Sequence, residues 1–544
     1  MSPGEHQLHG GVRVIGRASI AIAVLVSILL SPASVAASGA DRHDGDQRDQ
    51  FRGSNLAFTL SGPVRGTAMD GIREFLGIPY AAAPTGNRRW QPPQPHAPWF
   101  TPLDATHFGA HCPQPEPPAS AAGASEDCLF LNVYTPSHAL FGQHPVMVWI
   151  HGGSLVTGKG DDYDPTALIQ HGDVVVVTIN YRLGALGFLA QSALDSEGHK
   201  FANYGLMDQQ MALEWVHRNI VFFGGDPRNV TIFGESAGGQ SVTSHLTAPG
   251  SHGLFDHAII ESGAYALTLP PLAVAETQGS AFATAVGCPD QSAACLRGVS
   301  TATLVSKEAS VYITTQDGQV LPASPMQAFA SGQFNRTPVL QGSNHDEFRL
   351  FVATQFDLAG GPLTPAEYPA ALAAFPTIGP AKALQVLDEY PLSNFPSADL
   401  AYATAIGDTL FSCSARRSNQ LLSNWVSTFA YEFNDENAPS FLPPVSFPYG
   451  ATHAFELSYL FKLSFLPAPN FTPDQLKLAD TMKDYWTRFA RDGRPSAQGA
   501  PRWPEYQVAA DDILSLVPPR PTLENNFSAT HHCDFWRELS PAYD

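Results

Sequence analysis

The chain has 544 residues and a formal net charge of −20, an excess of negative charge that argues against binding to nucleic acid or anionic membranes. Apolar residues make up 44% of the chain, which suffices for a large core and excludes a mainly disordered protein. The length is within the range of one large α/β domain with insertions.

The first 36 residues have the pattern of a signal peptide. Arg13 and Arg17 precede the apolar stretch 20–30, and small residues follow it, with Ser34-Val35-Ala36 as the favoured cleavage site. An uncleaved membrane anchor is the competing interpretation, but the apolar stretch is short for a span. Cleavage removes two arginines and one glutamate and would leave a formal charge of −21. We therefore expect a secreted or periplasmic protein that keeps no stable membrane anchor.

The next segments predict a leader and a sheet edge. Residues 37–54 are polar and poor in apolar side chains, which predicts a flexible leader. The alternation after Ala57, the turn at Ser61-Gly62-Pro63 and the run 73–79 predict short antiparallel strands near the edge of a sheet.

Apolar runs then alternate with helical stretches. Helix-spaced apolar residues fill 208–220, and a later helix has Thr472 as its cap and Gly493 as its stop. Apolar strands between helices are typical of a mostly parallel, doubly wound sheet with helices on both faces. We predict one α/β domain over residues 55–540, with long insertions. The runs that we assign to its strands are 146–150, 174–179, 230–233, 257–260, 338–341 and 428–433.

Six cysteines in an exported chain suggest three disulfide bonds, although sequence alone leaves the pairing open. None of the spacings is a C-x-x-C metal or redox motif. The cysteines that are close in sequence are Cys112 with Cys128 and Cys288 with Cys295, which leaves Cys413 and Cys533 to close a long loop.

The motif on which the functional interpretation depends is Gly234-Glu235-Ser236-Ala237-Gly238. This G-x-S-x-G sequence directly follows the run 229–233 and precedes a helical stretch, which is the context of a nucleophile elbow. Such a turn lifts a serine hydroxyl above the sheet edge and directs a helix N-terminus at it. A glycine-rich turn without chemistry is the alternative for these residues alone.

A serine hydroxyl is a poor nucleophile at neutral pH, so it needs a histidine base and an acid that orients the imidazole. On an α/β-hydrolase sheet these partners follow the serine in the order acid, then histidine. Asp346 and Glu347 follow the run 338–341, and the residues themselves do not decide between them.

Three histidines follow the run 428–433. His531 and His532 adjoin Cys533 at the end of the chain, so His453 is the better candidate for the base.

The loop that follows the run 146–150 supplies candidate donors for an oxyanion. It reads His151-Gly152-Gly153-Ser154, and an H-G-G-G-type loop at this place lends backbone N–H groups to the developing negative charge. Without the G-x-S-x-G motif beside it, this loop could equally be a glycine turn that has no function.

Together these residues closely resemble the type B carboxylesterase family, which includes cholinesterases, bacterial para-nitrobenzyl esterases and bile-salt-activated lipases. The resemblance covers about residues 55–540. The blocks that carry it are residues 75–80, 126–133, 180–184, 223–227, 234–239 and 485–490.

The resemblance implies an α/β-hydrolase fold and a serine esterase that needs no metal or organic cofactor. It implies Ser236 as the nucleophile, Glu347 rather than Asp346 as the acid, and His453 as the base. The oxyanion donors would be the backbone N–H groups of Gly153, Ser154 and Ala237. Ser154 departs from the glycine of the family, and its side chain is expected to crowd the site or to alter the acyl preference.

The resemblance also implies structural pairs. The expected disulfides are Cys112–Cys128, Cys288–Cys295 and Cys413–Cys533. The expected ion pairs are Arg89 with Glu126 and Arg182 with Asp208.

The sequence therefore predicts a secreted esterase that hydrolyses small-molecule carboxylic esters through an acyl-enzyme. A lipase acting on longer acyl chains is the alternative within the enzymes, and a non-catalytic, cholinesterase-like adhesion domain is the alternative outside them. Adhesion relatives lose members of the triad, whereas all three residues are present here. The loop from Cys112 to Cys128 contains no aromatic residue, so we do not expect a choline esterase.

Overall fold

The computed structural model describes residues 55–539, except 116–122, 140–141, 196, 199–201 and 467. The predicted signal peptide (1–36) and leader (37–54) therefore lie outside the described residues. The strands are β1 (Leu56–Thr59), β2 (Gly62–Arg65), β3 (Thr67–Met69), β4 (Ile72–Pro79), β5 (Leu103–Asp104), β6 (Phe130–Pro136), β7 (His144–Ile150), β8 (Tyr163–Asp164), β9 (Val175–Ile179), β10 (Gly225–Glu235), β11 (His257–Glu261), β12 (Val339–Asn344), β13 (Thr428–Phe433), β14 (Lys462–Leu463), β15 (Ile513–Leu516) and β16 (Thr522–Glu524).

Eleven of these strands form one sheet, in the order β16-β15-β13-β12-β11-β10-β7-β9-β6-β4-β3. The seven consecutive strands from β15 to β9 are parallel, whereas β16 at one edge and β6, β4 and β3 at the other are antiparallel. The predictions of a mostly parallel sheet and of antiparallel strands at its edge are confirmed. Strands β1, β2 and β5 form a small separate sheet, and β8 pairs with β14.

Helices connect the strands and surround the sheet. The α-helices are α1 (Thr166–Gly172), α2 (Gly184–Phe188), α3 (Ser192–Asp195), α4 (Tyr204–Asn219), α5 (Ala237–Thr247), α6 (Leu272–Ala285), α7 (Ala293–Gly298), α8 (Thr301–Lys307), α9 (Pro325–Ser331), α10 (Arg349–Gln355), α11 (Tyr368–Ala374), α12 (Gly379–Glu389), α13 (Ala398–Gly407), α14 (Cys413–Leu422), α15 (Leu457–Leu460), α16 (Pro473–Asp492), α17 (Phe527–Thr530) and α18 (Cys533–Leu539). A π-helical turn, Asp408–Ser412, joins α13 to α14.

The two long helices predicted from sequence show how local chemistry sets their bounds. Helix α16 begins after Thr472, whose hydroxyl accepts the N–H of Gln475 in a capping box, and it ends at Gly493 in a left-handed conformation. Both ends agree with the prediction. Helix α4 begins at Tyr204, four residues before the predicted start at 208.

Strand β7 shows why the central strands are apolar throughout. Val146, Val148 and Ile150 lie in one core cluster, together with apolar residues of α4 and α5. Met147 and Trp149 lie in the other cluster, together with apolar residues of α16. Because successive side chains of a strand point to opposite faces, both faces of the sheet bury apolar residues under helices.

The structure contains the two ion pairs that the resemblance implies. Arg182 Nε lies 2.7 Å from Asp208 Oδ2, and both side chains are buried. Arg89 Nε donates to Glu126 Oε2 over 2.8 Å, and the Arg89 guanidinium also donates to the carbonyl of Val299 over 2.8 Å. This second pair therefore ties the segment before β5 to the residues between α7 and α8.

All six cysteines are paired in the structure. The bonds are Cys112–Cys128, Cys288–Cys295 and Cys413–Cys533. Their sequence separations are 16, 7 and 120 residues, so the third bond closes by far the longest loop. Among the helices of the described ranges, none combines the length and the apolar character needed to cross a membrane.

We expect the Cys413–Cys533 bond to contribute most to stability, because closing a longer loop removes more entropy from the unfolded chain. Loop entropy gives about 5 kcal/mol for a separation of 120 residues and about 2 kcal/mol for a separation of 7. The measurement is denaturant unfolding of two double serine variants, Cys413→Ser/Cys533→Ser and Cys288→Ser/Cys295→Ser. Equal losses, or free thiols at Cys413 and Cys533 in exported wild-type protein, would contradict the expectation.

Candidate active site

Ser236 lies between strand β10, which ends at Glu235, and helix α5, which begins at Ala237. Its backbone has φ 55° and ψ −121°, a conformation that residues other than glycine rarely adopt. The N–H of Ser236 donates to the carbonyl of Glu261 at the end of β11 over 2.9 Å. The predicted strand, sharp turn and helix are therefore present, with Ser236 at the turn.

The glycines on either side of Ser236 permit a close approach of backbones. A Cβ atom on Gly238 would lie 1.9 Å from the carbonyl oxygen of Ile150, and one on Gly234 would lie 2.5 Å from the same atom. Both distances are far shorter than real contacts, so the crossing of α5 over the end of β7 requires glycine at these two positions.

The His151–Ser154 loop runs directly against Ser236. A Cβ atom on Gly152 would lie 3.2 Å from the Cβ of Ser236. Gly153 has a φ of +100°, and a Cβ there would lie 2.3 Å from the carbonyl oxygen of Thr157. The loop thus brings the backbone of the candidate oxyanion residues beside the candidate nucleophile.

Ser154 also adopts a left-handed conformation, with φ 59°. Its carbonyl accepts the N–H of Tyr312 over 3.0 Å, and this bond fixes the direction of the peptide between Ser154 and Leu155. Within the described ranges, neither the N–H of Gly153 nor that of Ala237 donates to a protein acceptor. These two donors therefore remain available to a bound group.

Glu347 and His453 are brought together at the carboxyl ends of the parallel strands. Glu347 follows β12, and its Oε2 lies 2.5 Å from Nδ1 of His453. The other carboxylate oxygen of Glu347 accepts the N–H of Asn344 over 2.8 Å. Both side chains are buried, so the contact is shielded from water. The rings of Phe351 and Phe411 add to this shield, with centroids 5.0 and 5.1 Å from that of His453.

The second ring nitrogen of His453 faces Glu235, the residue before the candidate nucleophile. His453 Nε2 lies 3.1 Å from Glu235 Oε1. No hydrogen bond joins His453 Nε2 to the hydroxyl of Ser236 in the described structure. The three candidate triad residues therefore converge on one region, but the serine–histidine bond is not formed.

Burial and charge shift the pKa values of these groups. Burial alone would lower the pKa of His453, but the carboxylates of Glu235 and Glu347 outweigh it and raise that pKa above its ordinary value. Burial raises the pKa of Glu235 to about 7, an effect that His453 opposes and Glu347 reinforces. The imidazole thus lies between two acids whose combined charge favours its protonated form.

Two further buried carboxyl groups lie in this region and were not predicted. Burial raises the pKa of Glu456 well above its ordinary value and that of Glu261 to about 8, and Glu235 reinforces both shifts. The sequence did contain signals for them. Glu456 follows His453 by three residues, and Glu261 ends a parallel strand beside β10, the strand that leads to Ser236. Neither signal distinguishes a buried acid from a solvated one.

The rejected candidate His531 occupies a different environment. Its Nδ1 lies 2.6 Å from Asp408 and its Nε2 lies 2.6 Å from Glu432. Burial alone would lower the pKa of His531, but these two carboxylates outweigh it and raise that pKa to about 10. An imidazole that keeps its proton at neutral pH is a poor general base.

In the part of the chain that the structure describes, three groups of side chains lie close enough to share a metal ion. Cys288 and Cys295 belong to one group, but they are joined in a disulfide. Within the described residues, none of the groups includes Ser236, Glu347 or His453. The groups are His138/His144/Asp173, Cys288/Asp290/Cys295 and His345/Glu432/His531.

The parallel sheet, the strained Ser236 turn and the Glu347–His453 contact together define an α/β-hydrolase. Residues 54–536 match the model of the carboxylesterase family. The chain belongs to this family, and it is a carboxylic ester hydrolase.

Curated relatives of this family match nearly the whole chain. The acylcarnitine hydrolase of Mus musculus is 36% identical over 494 residues, which cover 84% of this chain and 86% of that protein. The para-nitrobenzyl esterase of Bacillus subtilis (strain 168) is 35% identical over 500 residues, 87% of this chain and 96% of that protein. Among solved structures, a thermophilic pNB esterase covers 89% of this chain and 100% of its own, with a TM-score of 0.77 and 32% identity.

The proximity of Glu235 to His453 predicts a change in pH dependence. Only a neutral His453 can accept a proton, so its pKa sets the acidic limb of kcat/KM. The Glu235 carboxylate raises this pKa, and Glu235→Gln removes its charge while keeping its size. We therefore expect the acidic limb of the Glu235→Gln variant to move to lower pH.

The matched control is Glu308→Gln, which neutralises another mostly buried acid, one that accepts the N–H of Ala185 and is not among the charges that shift the pKa of His453. This control should leave the acidic limb in place. A limb that stays in place, or moves to higher pH, in Glu235→Gln would contradict the interpretation.

Proposed function

We propose that this protein hydrolyses small-molecule carboxylic esters by a double displacement through an acyl-enzyme on Ser236. The observation that carries the proposal is the 2.5 Å contact between Glu347 and His453, beside a serine in a strained strand-to-helix turn. An acid that holds the imidazole by Nδ1 leaves Nε2 as the nitrogen that takes a proton. Within this proposal, Ser236 is the nucleophile, His453 the base and Glu347 the acid that orients it.

In the acylation step, His453 accepts the proton of Ser236 while the hydroxyl oxygen attacks the ester carbonyl. The negative charge that develops on the carbonyl oxygen is held by the N–H groups of Gly153, Ser154 and Ala237. His453 then gives the proton to the leaving alcohol. Water attacks the acyl-enzyme with the same residues in the reverse direction and regenerates the serine.

The resting position of His453 requires one movement before this chemistry. Its Nε2 lies 3.1 Å from Glu235 and makes no hydrogen bond to Ser236. Catalytic hydrogen bonds often tighten only when substrate is bound. In the proposed cycle the substrate therefore shifts Nε2 from Glu235 towards the hydroxyl of Ser236.

The proposal extends to the compartment in which the enzyme works. Residues 1–36 have the sequence pattern of a cleavable export signal, and three disulfide bonds are typical of an oxidising environment. The intact mass of the exported protein should therefore lack residues 1–36.

We expect Ser236→Ala to lower kcat by about 10⁴–10⁶, since the oxyanion donors alone then remain. An organophosphate should add its mass to the peptide that contains Ser236 in the wild-type enzyme. The assay is hydrolysis of nitrophenyl esters of increasing acyl length, with and without the organophosphate. The same panel separates an esterase from a lipase, because a lipase prefers the longer chains.

The matched control is Ser241→Ala in helix α5, where the hydroxyl donates to the carbonyl of Ala237 and accepts a side-chain N–H of Gln209. This variant should keep both activity and labelling. Full activity in Ser236→Ala, or label on another peptide, would refute the assignment.

The enzyme should show no preference for choline esters, although its net negative charge would attract cations. Binding of a quaternary ammonium group needs an aromatic face, worth about 2 kcal/mol when desolvated, and the Cys112–Cys128 loop contains no aromatic residue. We expect equal kcat/KM for butyrylcholine and its neutral carbon analogue, 3,3-dimethylbutyl butyrate. A preference for the choline ester of about tenfold or more that survives added salt would mean that another aromatic residue forms a cation site.

A further inference from the structure

Asp346, the carboxylate next to Glu347, is held in place by a different loop. Its backbone N–H donates to the carbonyl of Ala451 over 3.0 Å, and its Oδ2 accepts the N–H of Ala451 over 3.0 Å. Both polar groups of the Ala451 backbone are thus bonded to a single residue. Ala451 lies two positions before His453.

Three contacts reinforce this connection. Arg349 bonds to Asp346 Oδ1 over 2.7 Å and donates to the carbonyl of Pro448 over 3.2 Å, so it spans the same two loops. His345 Nδ1 lies 3.1 Å from Asp346 Oδ1. Every oxygen of the Asp346 carboxylate therefore has a partner, and the side chain is buried.

Gly450 permits this arrangement. Its φ is +63°, and a Cβ atom there would lie 2.1 Å from Asp346 Oδ2. A side chain at this position would occupy the place of the carboxylate. The conformation of Gly450 and the bond from Asp346 to Ala451 thus depend on each other.

We propose that Asp346 is a positioning residue of the active site: it fixes the 448–451 loop through Ala451 and so presents the imidazole of His453 to Glu347. Asp346 itself touches neither the candidate reacting atoms nor His453. Adjacent residues of one segment then have divided roles, since Glu347 bonds to the imidazole and Asp346 to the loop that carries it. The inference rests on the proposed function, because it assigns a role through His453.

The test is steady-state kinetics of Asp346→Ala and Asp346→Asn. A displacement of about 1 Å at a catalytic group can lower a rate about 100-fold, so we expect Asp346→Ala to lower kcat by about 10–100-fold with KM nearly unchanged. Asn keeps an acceptor for the N–H of Ala451, so Asp346→Asn should recover most of the kcat that Asp346→Ala loses. An effect on KM alone, or a normal kcat in Asp346→Ala, would overturn the inference.

A matched control separates positioning from stability. Asp399 is also buried, and it accepts the backbone N–H of Leu363 over 2.8 Å outside the 448–451 loop. Asp399→Ala should lower the thermal stability by a similar amount but leave kcat unchanged. A loss of kcat in Asp399→Ala as large as that in Asp346→Ala would overturn the inference.

A second variant keeps the inference testable if Asp346→Ala does not fold. Gly450→Ala keeps Asp346 but displaces its carboxylate from Ala451, so kcat should again fall at nearly unchanged KM. A wild-type kcat in Gly450→Ala would overturn the inference.

Organophosphate labelling of each protein separates the two hypotheses. Absence of label on Ser236 in the wild-type enzyme would refute the proposed function. Normal labelling together with a normal kcat in Asp346→Ala and Gly450→Ala would refute only the role of Asp346.

Discussion

The imidazole of His453 is buried, and a buried polar ring needs partners inside the protein for both of its nitrogens. Glu347 bonds to Nδ1, whereas Nε2 lies 3.1 Å from the carboxylate of Glu235 without forming a hydrogen bond to it. The charges of these two carboxylates outweigh the effect of burial and raise the pKa of His453. Glu235 directly precedes Ser236. In the resting structure His453 Nε2 therefore faces the residue next to Ser236, whose hydroxyl oxygen it must reach in the proposed reaction. The charges of Glu235 and Glu347 therefore influence the pH range in which His453 is neutral and can accept a proton.

Around the active-site region, backbone segments approach each other in three places so closely that only glycine fits. Gly234 and Gly238 let α5 cross the end of β7, and Gly153 lets the His151–Ser154 loop turn back on Thr157. Gly450 does the same for the loop before His453, where the Asp346 carboxylate takes the place of a side chain. These contacts hold Ser236, the His151–Ser154 loop and His453 by their backbones. The geometry of the site thus depends on these glycines, and Gly234, Gly238 and Gly450 have no part in the proposed chemistry itself.

Much of this arrangement is predictable from sequence because its signals are local. The elbow, the caps of α16 and the apolar central strands each follow from neighbouring residues, and the structure contains them. Helix α4 begins four residues before the predicted start, with a first turn that contains Gly205, a weak helix former, and that lacks a side-chain cap bond from Asn203. The difference between Asp346 and Glu347 could not be derived from the residues themselves, because two adjacent carboxylates have the same chemistry. Only the loop that carries His453, about 100 residues later in the chain, separates them. The burial of Glu261 and Glu456 depends likewise on distant segments.

Proton NMR of the histidine Nδ1–H resonances tests this account most directly. A proton held between an imidazole and a buried carboxylate over 2.5 Å should give a strongly deshielded resonance that is protected from exchange. His531, which lies between Asp408 and Glu432, supplies a second resonance of this kind as an internal reference. The account predicts that the His453 resonance is present in the wild-type enzyme and in Ser236→Ala, and is lost in Glu347→Gln while that of His531 remains. A resonance that survives Glu347→Gln but disappears in Asp346→Asn would contradict the account, because Asp346 would then hold the imidazole.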